Sequence, residues 1–170
     1  MRSTADFRAI PFDAVKVDSS GKDIGKNVYW KLYSIENLTR VIIHSVLSAQ
    51  ISSDWWETAV DETIKKRTMR FREAYEKRPW HSTPGKHDIY YVYLSDLNEI
   101  IRANSHLFRP IIDDVDEWIA KIEQIRLPRN VVGHMNWPNS TDRERINVIY
   151  SDIHQLVRHL ARPSFQLAIP

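Results

Sequence analysis

A stripe of apolar residues recurring every three or four positions constrains this chain more than any other feature. Ile146, Ile149, Ile153, Leu156 and Leu160 show it most plainly. Steps of three and four return to one face of a helix with 3.6 residues per turn, so each such run presents a single stripe for burial. Val28, Leu32, Ile35, Leu38, Ile42 and Val46 repeat the pattern near the start. Trp56, Val60, Ile64, Phe71 and Tyr75 continue it as a second helix, behind Asp54 and Glu57 at capping-box spacing. Leu94, Leu97, Ile100 and Ile101 favour a short third helix, although Tyr90, Tyr91 and Tyr93 with Val92 would also suit a strand. Ile112, Val115, Ile119, Ile122 and Ile125 make a fourth behind Pro110, and Thr141 with Glu144 is a second capping-box pattern ahead of the last.

These runs predict an all-α fold, a single-domain bundle of about five helices over residues 27–160. Residues 1–26 read as an extended arm, because Phe7, Ile10, Phe12, Val15 and Val17 keep no sustained period and Pro11 and Ser19-Ser20-Gly21 interrupt them. Pro84 and Gly85 mark a loop over 79–86, Pro128 should kink or end the fourth helix, and Trp137-Pro138-Asn139 is a further break. Arg162-Pro163 should stop the last helix and leave 161–170 as a tail.

Composition narrows the chemistry. Glycine occurs 4 times in 170 residues, where about 7% is ordinary. No Gly-rich phosphate loop of either common pattern is present. The chain has no cysteine, which removes thiolate catalysis, disulfides and zinc knuckles. No apolar run is long enough to span a membrane and no signal peptide opens the sequence, so the expected compartment is the cytoplasm. Net charge is +2 with a pI near 8.8. One basic run stands out, Lys65-Lys66-Arg67 followed by Arg70, Arg72, Lys77 and Arg78. Taken alone, the run reads as a solvated helix face ahead of a contact with RNA.

The chemistry-bearing segment is Leu127-Pro128-Arg129-Asn130-Val131-Val132-Gly133-His134-Met135-Asn136-Trp137. It sets an arginine, a side-chain amide and a histidine within six positions of an otherwise apolar stretch. A guanidinium offers a planar fork of donors to phosphate oxygens, and an imidazole exchanges protons near neutral pH. Those groups serve metal-free phosphodiester cleavage, the histidine moving protons and the arginine stabilising charge on the phosphoryl oxygens. On a straight helix the five-residue step from Arg129 to His134 rotates by about 140°, off a shared face. Pro128 and Gly133 would loosen that geometry.

Arg-Asn-Val-Val-Gly-His at 129–134 resembles the motif of the HEPN superfamily (higher eukaryotes and prokaryotes nucleotide-binding). Tyr33-Ser34-Ile35-Glu36-Asn37-Leu38 and the Trp55-Trp56 pair resemble the branch named from a eukaryotic nuclear RNA-surveillance endonuclease, and the likeness extends over roughly 27–160. The resemblance implies metal-independent RNA cleavage by a homodimer, without a cofactor, in which two motifs meet across a two-fold axis around Arg129–Trp137. It implies that Arg129 binds the scissile phosphate, Asn130 orients the arginine or the RNA, and His134 acts as general base or acid on the ribose 2′-hydroxyl. The ends left would be a 2′,3′-cyclic phosphate and a 5′-hydroxyl. Many members are toxins with a protein antitoxin or antiviral-defence effectors. The alternatives are a catalytically silent HEPN module that binds RNA or a partner protein, and an unrelated helical interaction domain.

Other residues carry weaker signals. Glu36 either orients the motif or is an ordinary surface glutamate, and Lys65, Lys66 and Arg67 are candidates for RNA contact. His81 and His87 flank a Pro-Gly loop that reads as a plain loop ahead of a metal or RNA contact. His44 reads as a core histidine, and His154 and His159 as structural or surface residues near a helix C-terminus. Asp113, Asp114, Asp116 and Glu117 read as an acidic first turn that requires no metal. Trp55 and Trp56 suit base stacking, with at least one expected in the core or an interface.

Overall fold

The structure, a computed structural model, describes residues 12–161 and 165–170. It is an all-α bundle, and no strand occurs among the described residues. The helices are α1 (Ala14–Ile24), α2 (Trp30–Gln50), α3 (Trp55–Ala59), α4 (Glu62–Glu76), α5 (Leu94–Ala103), α6 (Ser105–Phe108), α7 (Val115–Gly133) and α8 (Ser140–Leu160). A π-helical turn at Gly25–Tyr29 joins α1 to α2, and a 3₁₀ turn at Asp88–Tyr91 precedes α5.

The expected extended arm is helical over its described part. Asp13 caps α1 by accepting a hydrogen bond from the Val15 amide at 2.9 Å. The chain then runs through the π turn into α2 without a break. Residues 1–11 of the arm and the Arg162-Pro163 stop lie outside the described residues. The helix before that stop ends at Leu160.

Three further boundaries differ from the sequence reading, each because local hydrogen bonding or packing prevails. The expected second helix is two, since Val60 is extended and Asp61 starts α4 by accepting from the Thr63 amide at 2.7 Å. Asp54 makes no side-chain cap. Asp114 caps α7 through the Glu117 amide, so that helix starts after Pro110 and Ile112 rather than with them. Asn139, not Thr141, caps α8, accepting from the Asp142 amide at 2.8 Å.

Pro128 neither ends nor interrupts α7, which continues five residues beyond it to Gly133. A proline inside a helix removes the bond to the carbonyl four residues back. Burial of Pro128 and Val132 on the core side holds the last turn in place.

The core lies where α2, α5, α7 and α8 meet, with α2 packed on α8, α5 on α7 and α7 on α8. Ile35, Ile43, Leu97, Ile125, Ile146 and Ile153 are fully buried there. Trp30 meets Tyr150 edge-on, and Lys31 donates to Asn147 at 2.6 Å, fixing the register of α2 against α8. This packing sets the C-terminal end of α7 beside the first half of α2 and the start of α5.

Candidate functional site

The site is built at the end of α7 by a helix stop of specific geometry. The Asn136 amide donates to the Val131 carbonyl and the Met135 amide to the Val132 carbonyl, both at 2.9 Å. That pair of bonds is a Schellman stop with His134 as the C-cap. Met135 occupies the left-handed position that glycine usually fills, at φ 58°. His134 thus sits where the helix turns away, exposed to solvent.

Arg129, Asn130 and His134 line one cavity of about 430 Å³ together with Tyr93, Ser95 and Arg126. The five-residue step therefore does not separate the pair, because the cavity spans the arc of helix surface between them. The predicted trio is brought together, and Glu36 joins it from α2. The Glu36 carboxylate accepts from the Arg129 Nε at 3.2 Å and from the Arg40 Nη2 at 2.6 Å. Its side chain is 14% exposed, against 36% for Arg129. With Nε engaged from behind, the Arg129 terminal nitrogens remain beside Gly133, where Nη1 lies 3.6 Å from the place a Cβ would occupy.

Of the basic run, Lys65 pairs with Glu62 at 3.0 Å and with Glu57 at 3.6 Å, and those carboxylates raise its pKa. Neither Lys65 nor Lys66 lines the cavity. Arg67 reaches it indirectly. It pairs with Asp96 and lies over the Tyr93 ring at 5.5 Å, while Asp96 also accepts from the Tyr93 amide at 3.0 Å. Arg72 is held by Asp88 and Glu76. Much of the run is thus spent on ion pairs within the fold.

Trp55 and Trp56 are core residues, which removes them from base stacking. They pack with His44 and His87, and the Trp55 and His87 rings stack at 5.2 Å. The His44 Nδ1 accepts from the Trp55 indole at 3.1 Å, and the His87 Nδ1 accepts from the Ile89 amide at 3.1 Å. Burial lowers the pKa of both, and proximity to His44 lowers that of His87 further. His87 therefore ends the loop as the cap of the 3₁₀ turn and packs against the core. His154 packs against Tyr150 at 4.5 Å. Among the described residues no group of three or more His, Asp or Glu is arranged to hold a metal ion, the acidic turn at 113–117 included.

No family model, curated protein or solved structure matches this chain.

Sequence reasoning missed Arg40, Tyr93, Ser95 and Arg126. Arg126 had a signal, since it stands four before Asn130 and so shares its helix face. Arg40 had one too, standing four after Glu36. Tyr93 and Ser95 had none, because only packing of α5 on α7 brings them to the motif. No helix is long and apolar enough to cross a membrane among the described residues.

Proposed function

We propose that the protein is a metal-independent endoribonuclease of HEPN type that acts as a homodimer. The observation that carries this reading is the convergence of Arg129, Asn130 and His134 on one cavity, with Glu36 fixing the arginine from behind. In this mechanism His134 takes the proton of the ribose 2′-hydroxyl, and the 2′-oxygen attacks phosphorus. The bond to the 5′-oxygen breaks, and that oxygen takes a proton from the His134 imidazolium of the second copy. A 2′,3′-cyclic phosphate and a 5′-hydroxyl result, with no water or metal consumed. Arg129 stabilises the charge on the non-bridging oxygens through its planar fork.

Two copies meet through the segment 129–137, where His134 and Met135 are exposed, with Leu127 exposed two turns before His134. By its resemblance the protein belongs among toxins or antiviral-defence effectors of the cytoplasm, with a protein antitoxin as a partner.

The test is incubation of the purified chain with a labelled single-stranded RNA in EDTA, with end-group analysis and light scattering alongside. Cleavage in EDTA leaving cyclic-phosphate ends, from a dimer, is the expected result. Activity that vanishes in EDTA and returns with magnesium overturns the mechanism. Binding without cleavage points to a silent module instead.

A further inference from the structure

The cavity that holds the motif adjoins a second, larger one. Arg129 and Gly133 line both, and the larger has a volume of about 950 Å³. That is near the upper end of the ~300–1,000 Å³ range of small-molecule sites. Gly133 carries no side chain, and the Arg129 Nη1 lies 3.6 Å from where its Cβ would be.

The larger cavity is also lined by Tyr29 and Tyr33, which stand four positions apart and remain 57% and 60% exposed. Tyr29 closes the π turn at Gly25–Tyr29 and Tyr33 lies one turn further on, while Val28 and Leu32, one position before each, are buried in the core. π-helical turns occur frequently at functional sites. The charged side chains of the lining are Arg40, Arg129, Lys86 and Glu36, with Glu36 paired to both arginines and Lys86 in no such pair with it. Exposed aromatic rings beside a cationic wall fit unpaired bases on a phosphate backbone, since every base offers a face for stacking. A duplex keeps its base faces covered and does not fit.

Resting on the nuclease reading above, we propose that this cavity is the groove for single-stranded RNA flanking the scissile phosphate, with bases stacked on Tyr29 and Tyr33 and a backbone phosphate on Lys86.

The test measures binding of a fluorescent ten-nucleotide single-stranded RNA by anisotropy to the full chain carrying His134→Ala, which separates binding from cleavage. Adding Tyr29→Ala or Tyr33→Ala should weaken binding about 5–150-fold per lost stack, and Tyr33→Phe should restore it. Lys86→Gln should reduce the slope of log affinity against log salt by about 0.7, the value for one phosphate of a single strand. Unchanged affinity in the tyrosine variants overturns the groove. So does their conversion from dimer to monomer at unchanged RNA affinity, which would make this face a contact between copies. Binding lost in the tyrosine variants while the parent chain fails to cleave RNA would uphold the groove and refute the nuclease.

Discussion

Glu36 holds Arg129 across 93 positions of sequence, its Oε2 lying 3.2 Å from the arginine Nε while its other oxygen holds Arg40. One turn of α2 thus fixes the orientation of the guanidinium on α7. The two arginines differ in what they do with the rest of their donors. Arg40 is 9% exposed and spends its remaining donors on the Ile89 carbonyl and Asn37, whereas Arg129 keeps its outer nitrogens at the cavity.

That asymmetry predicts opposite costs. Glu36→Ala strands the buried Arg40 charge, and an unsatisfied buried polar group costs about 1–3 kcal/mol, more when charged. Arg129→Ala leaves Glu36 paired with Arg40, so it should cost less than about 1 kcal/mol. Urea melts of the two variants check the order. A larger loss for Arg129→Ala would show that the pair exists to hold the fold together.

Activity should fall the other way. A placed proton-transfer group contributes about 10²–10⁴-fold in rate. His134→Ala and Arg129→Ala should each slow RNA cleavage at least about a hundredfold while remaining folded. Arg129→Lys should also fail, because an ammonium keeps the charge and loses the fork. His159→Ala, on α8 and outside the motif, should cleave like the parent. The measurement is an initial-rate assay with end-group analysis, and parent-like cleavage by His134→Ala would end the assignment.

Acid should loosen the fold through His44 and His87. Each Nδ1 accepts a hydrogen bond, and each pKa is lowered from 6.5 by burial. The unfolded chain therefore binds more protons, and stability is lost as pH falls from about 6.5 toward the lower folded values. The slope is at most about 1.4 kcal/mol per pH unit for each ring, and less for half-buried ones. Thermal melts between pH 7.5 and 5.5 should show it. His87→Asn keeps a cap acceptor without a titrating group and should flatten the curve; an unaltered slope would place the acid sensitivity elsewhere.

Met135 pays for its position. A non-glycine residue in the left-handed region costs roughly 1–2 kcal/mol, and this side chain is 81% exposed, with little packing to offset it. Met135→Gly should therefore stabilise by about 0.5–1 kcal/mol after the entropy gained by the unfolded chain, or roughly 2–4 °C per kcal/mol for a chain of this size. Met135→Val should destabilise, since a branched Cβ resists positive φ more strongly. Calorimetry of both variants decides it.

The segment 129–134 could be read as chemistry from the sequence because arginine, asparagine and histidine interrupt an apolar run. Its conformation could not. Pro128 carries a local signal to stop the helix, and the structure overrides it because Pro128 and Val132 bury together against the core. The same competition explains Val60, an apolar residue in good helical register that the Asp61 cap leaves extended. It also explains α1, whose weak apolar period hid a helix that the Asp13 cap starts.

Sequence alone determined that this chain is an all-α bundle, because apolar spacing at 3.6 residues must bury one face of each helix wherever that helix lies. It also marked Arg129, Asn130 and His134, because their donors and protons are properties of side chains and not of position. Tertiary structure alone decided that Glu36 grips Arg129, that Tyr93 and Ser95 share a cavity with His134, and that Trp55 belongs to the core. Those relations depend on how α2, α5 and α7 pack, and packing angle and register follow from the fit of many side chains at once, which no local spacing encodes.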